Sequence, residues 1–350
     1  MKKLFSVLLV AVLTTLLAAQ EKKLIGARYP SLSPDGGRIA FSYMGDIWVV
    51  DSSGGKAARI TAHLAYDQRP FWSPDGSQIV FTSDRAGNNN VYIVNARGGT
   101  PVPLTFHSGD DVASGWSRDG GFVLFRSNRS SSASIFRISR TGGNPEPVLD
   151  TYWTWPYDAR FSPGDSLIVF ASGMENRFHW RKGYTGANSS DIWTYSLLSG
   201  RAKERVNIDH NCFWPQWGPG DGRIYYVTDS RYDTYNIWRT GKGSSADSPV
   251  TSFGDGDVRY LYCQPGGTLA VYERNFSIWI TDLLTGESRP VDITAPSERK
   301  DNTVTWVKNK PVSGYSLSPD GKKIAAVVRG DIFILSSEGG YARNITKTPW

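Results

Sequence analysis

Aromatic and cationic side chains crowd between Gly173 and Ser190, where Arg177, Phe178, His179, Trp180, Arg181, Lys182 and Tyr184 fall within eight residues. Rings supply contact area and stacking, and guanidinium groups supply paired donors for carboxylates, so the mixture suits recognition of extended peptides, acidic peptides or a free carboxyl terminus. Phe178, His179, Trp180, Arg181 and Tyr184 are the candidate substrate-binding residues. The competing reading is a loop that packs its rings against the rim of a scaffold.

Other chemistry is sparse. The sequence holds no Gly-x-Ser-x-Gly elbow, no His-Glu-x-x-His, no Cys-x-x-Cys and no phosphate-binding glycine loop, so we assign no catalytic residue, cofactor or metal ligand. His63 and His107 occupy one slot, after Ile60-Thr61 and Leu104-Thr105, and are expected to cap loops rather than bind metal. Asp46, Asp191 and Asp331 share another repeated slot, which points to geometry rather than acid–base catalysis. Arg85 and Arg129, in Ser-x-Arg segments, are expected to tie loops down by hydrogen bonds, with a substrate contact as the sharper alternative.

The elements that must position these residues repeat. The stretch Arg28 to Asp51 places Ser33-Pro34-Asp35-Gly36 between runs of Ile, Val, Phe and Trp, which is one hairpin with a tight turn. Its second strand carries an aliphatic–aromatic pair, and seven such pairs occur: Ile47-Trp48, Val91-Tyr92, Ile135-Phe136, Ile192-Trp193, Ile237-Trp238, Ile278-Trp279 and Ile332-Phe333. The aromatic members lie 44, 44, 57, 45, 41 and 54 residues apart, the period of a four-stranded propeller blade. The 57-residue interval contains the aromatic and cationic insertion. The 54-residue interval contains a polar stretch, Thr294 to Pro311, before a copy closely similar to the first.

Composition fits a large β protein, with 36 Gly, 19 Pro and 13% aromatic residues. The net charge of +6 is scattered along the chain, which argues against nucleic acid as a partner. Lys2 and Lys3 ahead of the apolar run Leu4 to Leu17, followed by Ala18-Ala19-Gln20, read as a secretory signal peptide, hence an exported, periplasmic or extracellular protein free of the membrane after cleavage. Cys212 and Cys263 sit on equivalent repeats with an axial offset of roughly 20 Å, beyond disulfide reach, so two buried free thiols are expected.

The order Tyr29-Pro30-Ser31-Leu32-Ser33-Pro34-Asp35-Gly36, Ile39-Ala40-Phe41, Gly45-Asp46-Ile47-Trp48-Val49-Val50 and Arg59-Ile60-Thr61 resembles the repeats of TolB-type propellers and tricorn-type proteases. Trp180-Arg181-Lys182-Gly183-Tyr184-Thr185-Gly186 is more discriminating, and resembles a Trp-Lys-Gly-Tyr-x-Gly segment in blade four of the tricorn six-bladed propeller. The resemblance covers about residues 24 to 350. It implies an all-β fold that follows the signal peptide of residues 1–20: 24–293 a six-bladed β-propeller, 294–311 a linker, and 312–350 the first blade of a second, incomplete propeller. A further turn is expected near position 358, so the chain reads as the N-terminal part of a longer protein.

The function so implied is the non-catalytic propeller region of an exported tricorn-like serine peptidase, gating or recognising peptides through a narrow axial channel. A TolB-like protein-binding propeller and a propeller lyase acting on acidic sugars are the alternatives. The expected partners are peptides or proteins, further domains of the same chain, and a second copy in a homo-oligomer.

Overall fold

The Ser-Pro-Asp-Gly turns close by the same bonds each time. Ser33 Oγ donates to Asp35 Oδ1 at 2.5 Å and accepts from the Arg38 amide at 2.9 Å. Ser73 with Asp75 and Gln78, and Ser117 with Asp119 and Phe122, repeat the pattern within 0.1 Å. A small hydroxyl and a carboxylate two residues apart thus satisfy the backbone donors that a tight turn leaves open.

In the computed structural model the described residues are 22–130, 134–150, 155–220, 222–243, 245–296, 312–340 and 342–346. The expected signal peptide lies outside them, as does most of the expected linker. The described residues form two compact units, Met1–Ser297 and Glu298–Trp350. Strands dominate, and Met174–Arg177, a 3-10 turn, is the one helical element among the described residues.

Within the first unit, six four-stranded antiparallel sheets follow one another among the described residues. Their first strands are Arg28–Leu32, Asp67–Trp72, Asp111–Trp116, Pro156–Phe161, Phe213–Trp217 and Arg259–Cys263. Each first strand contacts the next, and the strand of sheet six contacts that of sheet one, so these edges line an axis. Gln264 Nε2 donates to the Pro34 carbonyl at 2.9 Å across that seam, and Glu273 accepts from Arg28 Nε at 2.9 Å and from the Tyr29 amide at 2.7 Å.

The core lies between neighbouring sheets. Ala40, Ile47 and Val49 of sheet one meet Trp72, Ile79 and Phe81 of sheet two. Leu124 and Ile135 of sheet three meet Ile168 and Phe170 of sheet four in the same way. Both faces of each sheet are covered, which is why the strands read as continuous apolar runs. Each fully buried Ile, Leu or Phe contributes about 1.5–3 kcal/mol of transfer free energy.

One expected boundary moves. Thr294 and Ala295, assigned to the linker, belong with Ile293 to a strand that pairs antiparallel with Lys22–Lys23 and parallel with Gly55–Lys56. Backbone pairing between the two ends of the unit needs no apolar signature, so polarity alone misplaced these residues. Cys212 and Cys263 are buried free thiols, as expected.

The second unit holds one four-stranded sheet among its described residues: Gly314–Leu317, Lys323–Val328, Asp331–Ser336 and Arg343–Asn344.

Candidate functional site

Each first strand carries one register shift. In five of the six, a bulky residue there adopts left-handed backbone: Tyr29 (φ 53°), Arg69 (φ 54°), Asp158 (φ 49°), Trp214 (φ 48°) and Tyr260 (φ 51°). Ala113 fills the corresponding place in sheet three. Left-handed backbone disfavours such side chains, and its repetition at equivalent positions marks a built feature. The bulge turns these five side chains onto the axis.

There they form one layer. Arg69 Nη1 donates to Asp158 Oδ1 at 2.8 Å, joining sheets two and four. The Tyr29 and Tyr260 ring centroids lie 4.4 Å apart, edge to face, and Trp214 lies 5.0 Å from Tyr260. Arg69 sits over both tyrosine rings, at 5.1 and 5.7 Å. A cavity of about 160 Å³ opens on one side of the layer, and a smaller space of about 20 Å³ lies against the other. In place of the expected narrow channel, side chains fill the axis at this level.

Antiparallel strands put the hairpins joining second to third strands at the same end as the connections that lead into each first strand. The insertion after Ser172 is such a hairpin, so it stands at the cavity's end of the ring. Gly173 starts it with φ 146°, where a Cβ would lie 2.3 Å from the Ser189 carbonyl oxygen. The Met174–Arg177 turn follows, closed by the Phe178 amide on the Glu175 carbonyl at 2.8 Å.

The structure divides the five sequence-assigned residues. His179 alone reaches the cavity, packing on Trp214 at 5.7 Å and Tyr260 at 5.6 Å. Burial first, then the positive charge of Arg259, lowers its pKa to about 4, so it is a neutral ring at neutral pH. Trp180, 59% exposed, and Phe178, 41% exposed, stack edge to face at 5.5 Å outside the cavity. Arg181 bonds Glu175 at 3.1 Å and covers the Tyr184 ring at 4.5 Å, so both serve the loop's own packing. Lys182 to Asp257 at 2.8 Å and the Gly183 amide to Asp229 at 2.7 Å fasten the insertion beside sheets five and six.

Sequence reasoning missed Arg69, Asp158, Trp214 and Tyr260. A signal was present: in the sheet-one, sheet-two and sheet-five copies the axial residue directly precedes a proline, as Tyr29-Pro30, Arg69-Pro70 and Trp214-Pro215.

The remaining expectations resolve by geometry. Arg85 bonds Ser83 at 2.9 Å and the fully buried Asp67 at 2.7 Å, and Arg129 repeats this with Ser127 and Asp111, so both tie loops down. His63 Nδ1 accepts the Ala65 amide at 3.0 Å and His107 Nδ1 the Gly109 amide at 2.9 Å, which is loop capping. Asp46 pairs with Arg59 at 2.8 Å. Asp191 departs from this pattern: its Oδ1 is buried with no hydrogen-bond partner among the described residues, and burial, then Glu204, pushes its pKa up to about 7.

Comparisons with known proteins agree with this architecture. The chain is 27% identical over 334 residues to tricorn protease homolog 1 of Streptomyces coelicolor, covering 92% of this chain and 30% of that protein. A tricorn protease homolog of Saccharolobus solfataricus is 24% identical over 176 residues, 49% of this chain and 15% of that one. The crystal structure of the tricorn protease superposes with a TM-score of 0.65 at 22% identity, over 93% of this chain and 32% of that chain. TolB from Acinetobacter baumannii gives 0.58 at 18% identity, over 75% and 66%. At these identities the structural likeness speaks to the β-propeller fold. The chain thus spans about a third or less of the length of its tricorn relatives. Residues 26–287 match the family described as the tricorn protease N-terminal beta propeller domain, and to that family this chain belongs.

Proposed function

We propose that this chain is the peptide-receiving propeller region of an exported tricorn-like serine peptidase, with bond cleavage performed by other domains of a longer protein. On this reading the first unit is a six-bladed ring and residues 312–350 open a second propeller. The observation that carries the proposal is the axial site. Four equivalent inner-strand residues, Arg69, Asp158, Trp214 and Tyr260, and His179 of the insertion converge on one cavity, lined by rings and guanidinium groups. Rigid strands hold it while the insertion presents Trp180 and Phe178 beside it, the division of labour of a scaffold with a recognition loop.

A second reading, a periplasmic protein-binding propeller of the TolB kind, draws on Leu64, Phe106 and Phe276. They are 78%, 80% and 72% exposed on connections at that same end of the ring.

The test pairs two measurements. This chain alone should turn over no fluorogenic peptide, since no motif supplies an activated nucleophile; activity abolished by changing one Ser of this segment would overturn the proposal. In the longer protein, Trp180→Ala, which removes an exposed ring and no ion pair, should lower kcat/KM by an amount equivalent to about 1–3 kcal/mol, with Tm unchanged. A large fall in Tm with kcat/KM intact would make the insertion a packing element only.

A further inference from the structure

We infer that the axial cavity is a carboxylate-binding pocket, in which Arg126 and Arg177 receive the anion while Trp214 and Tyr260 flank the body of the ligand. The inference deepens the peptide-recognition reading and rests on it.

The charges lining the cavity do not balance. Arg69, Arg126 and Arg177 face it, and Asp158 is the one carboxylate among its described lining residues. Asp158 is already engaged by Arg69 at 2.8 Å. Arg177 uses Nε on the Tyr157 hydroxyl at 3.0 Å and stacks over Trp155 at 4.5 Å, and it has no carboxylate partner among the described residues. The Arg126 guanidinium makes neither a hydrogen bond nor an ion pair among the described residues; it rests over the Tyr157 ring at 4.9 Å. Burial lowers its pKa, Tyr157 and Asp158 oppose this, and Arg69 and Arg177 add to the lowering.

A half-buried guanidinium with its donors unanswered is costly, and an arriving anion removes that cost. One tyrosine holds both groups, Arg126 against its ring and Arg177 at its hydroxyl, which sets two planar forks around one opening. A planar carboxylate matches such forks, and the neighbouring Asp158 charge disfavours an anion of higher charge such as phosphate. The cavity's aromatic wall, with His179 uncharged, suits an apolar body attached to that carboxylate. An acidic side chain and a free carboxyl terminus supply the same chemistry.

Calorimetric titration of the full chain with Phe-Asp, Phe-Asn, Phe-Asp amide and Phe-Asn amide separates these sources. The first three should bind saturably and Phe-Asn amide about tenfold more weakly or worse. The stronger of Phe-Asn and Phe-Asp amide identifies terminus or side chain. Arg126→Gln should weaken the carboxylate ligands about tenfold, leaving Phe-Asn amide unchanged, and Arg126→Lys should fall between, because it keeps the charge and loses the fork. Phe-Asn amide binding within about twofold of its carboxylate counterparts sinks the inference and leaves peptide recognition standing. Inorganic phosphate binding more tightly than the dipeptides would overturn the carboxylate assignment. Saturable binding by none of the four dipeptides sinks both readings.

Discussion

The sheet built from residues 28–59 and the sheet built from residues 314–344 are near copies in sequence and in local bonding, yet within these 350 residues one is buried and the other exposed. Ser33 and Ser318 each hold an Asp two residues on at 2.5 Å. Thr61 and Thr346 each accept an isoleucine amide at 3.0 Å, and Met44-Gly45 and Arg329-Gly330 form matching left-handed turns. Even so, Leu32 is fully buried and its counterpart Leu317 is 58% exposed. Local sequence therefore builds the sheet, and only neighbouring sheets make its faces a core.

That contrast is open to breakage at matched positions. Measured in the 350-residue chain, Leu32→Ala should cost about 3–5 kcal/mol, the range for a fully buried leucine, and Leu317→Ala within about 0.5 kcal/mol. Denaturant midpoints with unchanged slopes would measure both, and equal losses would end the distinction.

The next pair is electrostatic. Arg59 lies 2.8 Å from the buried Asp46, while the copy has Asn344 in its place. Arg59→Asn should cost about 3 kcal/mol by stranding a buried charge, against less than about 1 kcal/mol gained from Asn344→Arg, because Asp331 in the copy is only half-buried. Thermal unfolding of the two variants would show whether burial sets the difference.

Sheet four sharpens the point, because Glu204 stands where Arg59 stands in sheet one, opposite Asp191. The folded pKa of Asp191 is raised to about 7, so the neutral form is favoured and stability is lost as pH rises from the ordinary carboxylate value through 7. Asp191→Asn should raise stability by about 1 kcal/mol at pH 8, after allowance for its partial exposure, and by nothing measurable near pH 4. Equal gains at both pH values would reject this account.

The smallest effect concerns His179. Its folded pKa, about 4, lies below the ordinary value, so the stability tied to its neutral ring is complete above pH 6.5 and fades as pH falls toward 4. An NMR titration should find the ring still neutral at pH 5.5, and His179→Gln should flatten the acid limb of a stability–pH curve slightly.

Much of this was legible in the chain. The turns, the period and the aliphatic–aromatic pairs depend on residues within a few positions of each other, so they survive reading in one dimension. The same holds for loop-tying Arg85 and Arg129 and for capping His63 and His107, whose partners recur at fixed spacing. The insertion at Gly173 was visible as a break in that spacing. Its inner organisation was not: Phe178, His179 and Trp180 are consecutive but part company, the histidine turning to the axis and its neighbours outward.

By itself, then, the sequence determined the repeated sheets, because their turns and hairpins close through hydrogen bonds between near neighbours. The tertiary structure alone decided the site. Arg69 and Asp158 stand 89 residues apart, and Tyr29 and Tyr260 further still, until a ring of sheets brings their bulged strands to one axis. It also decided that Leu32 is buried while its counterpart Leu317 is 58% exposed in these 350 residues. The physical reason is common to both: burial and convergence are properties of what surrounds a residue, and a repeat encodes its own bonds without encoding its neighbours.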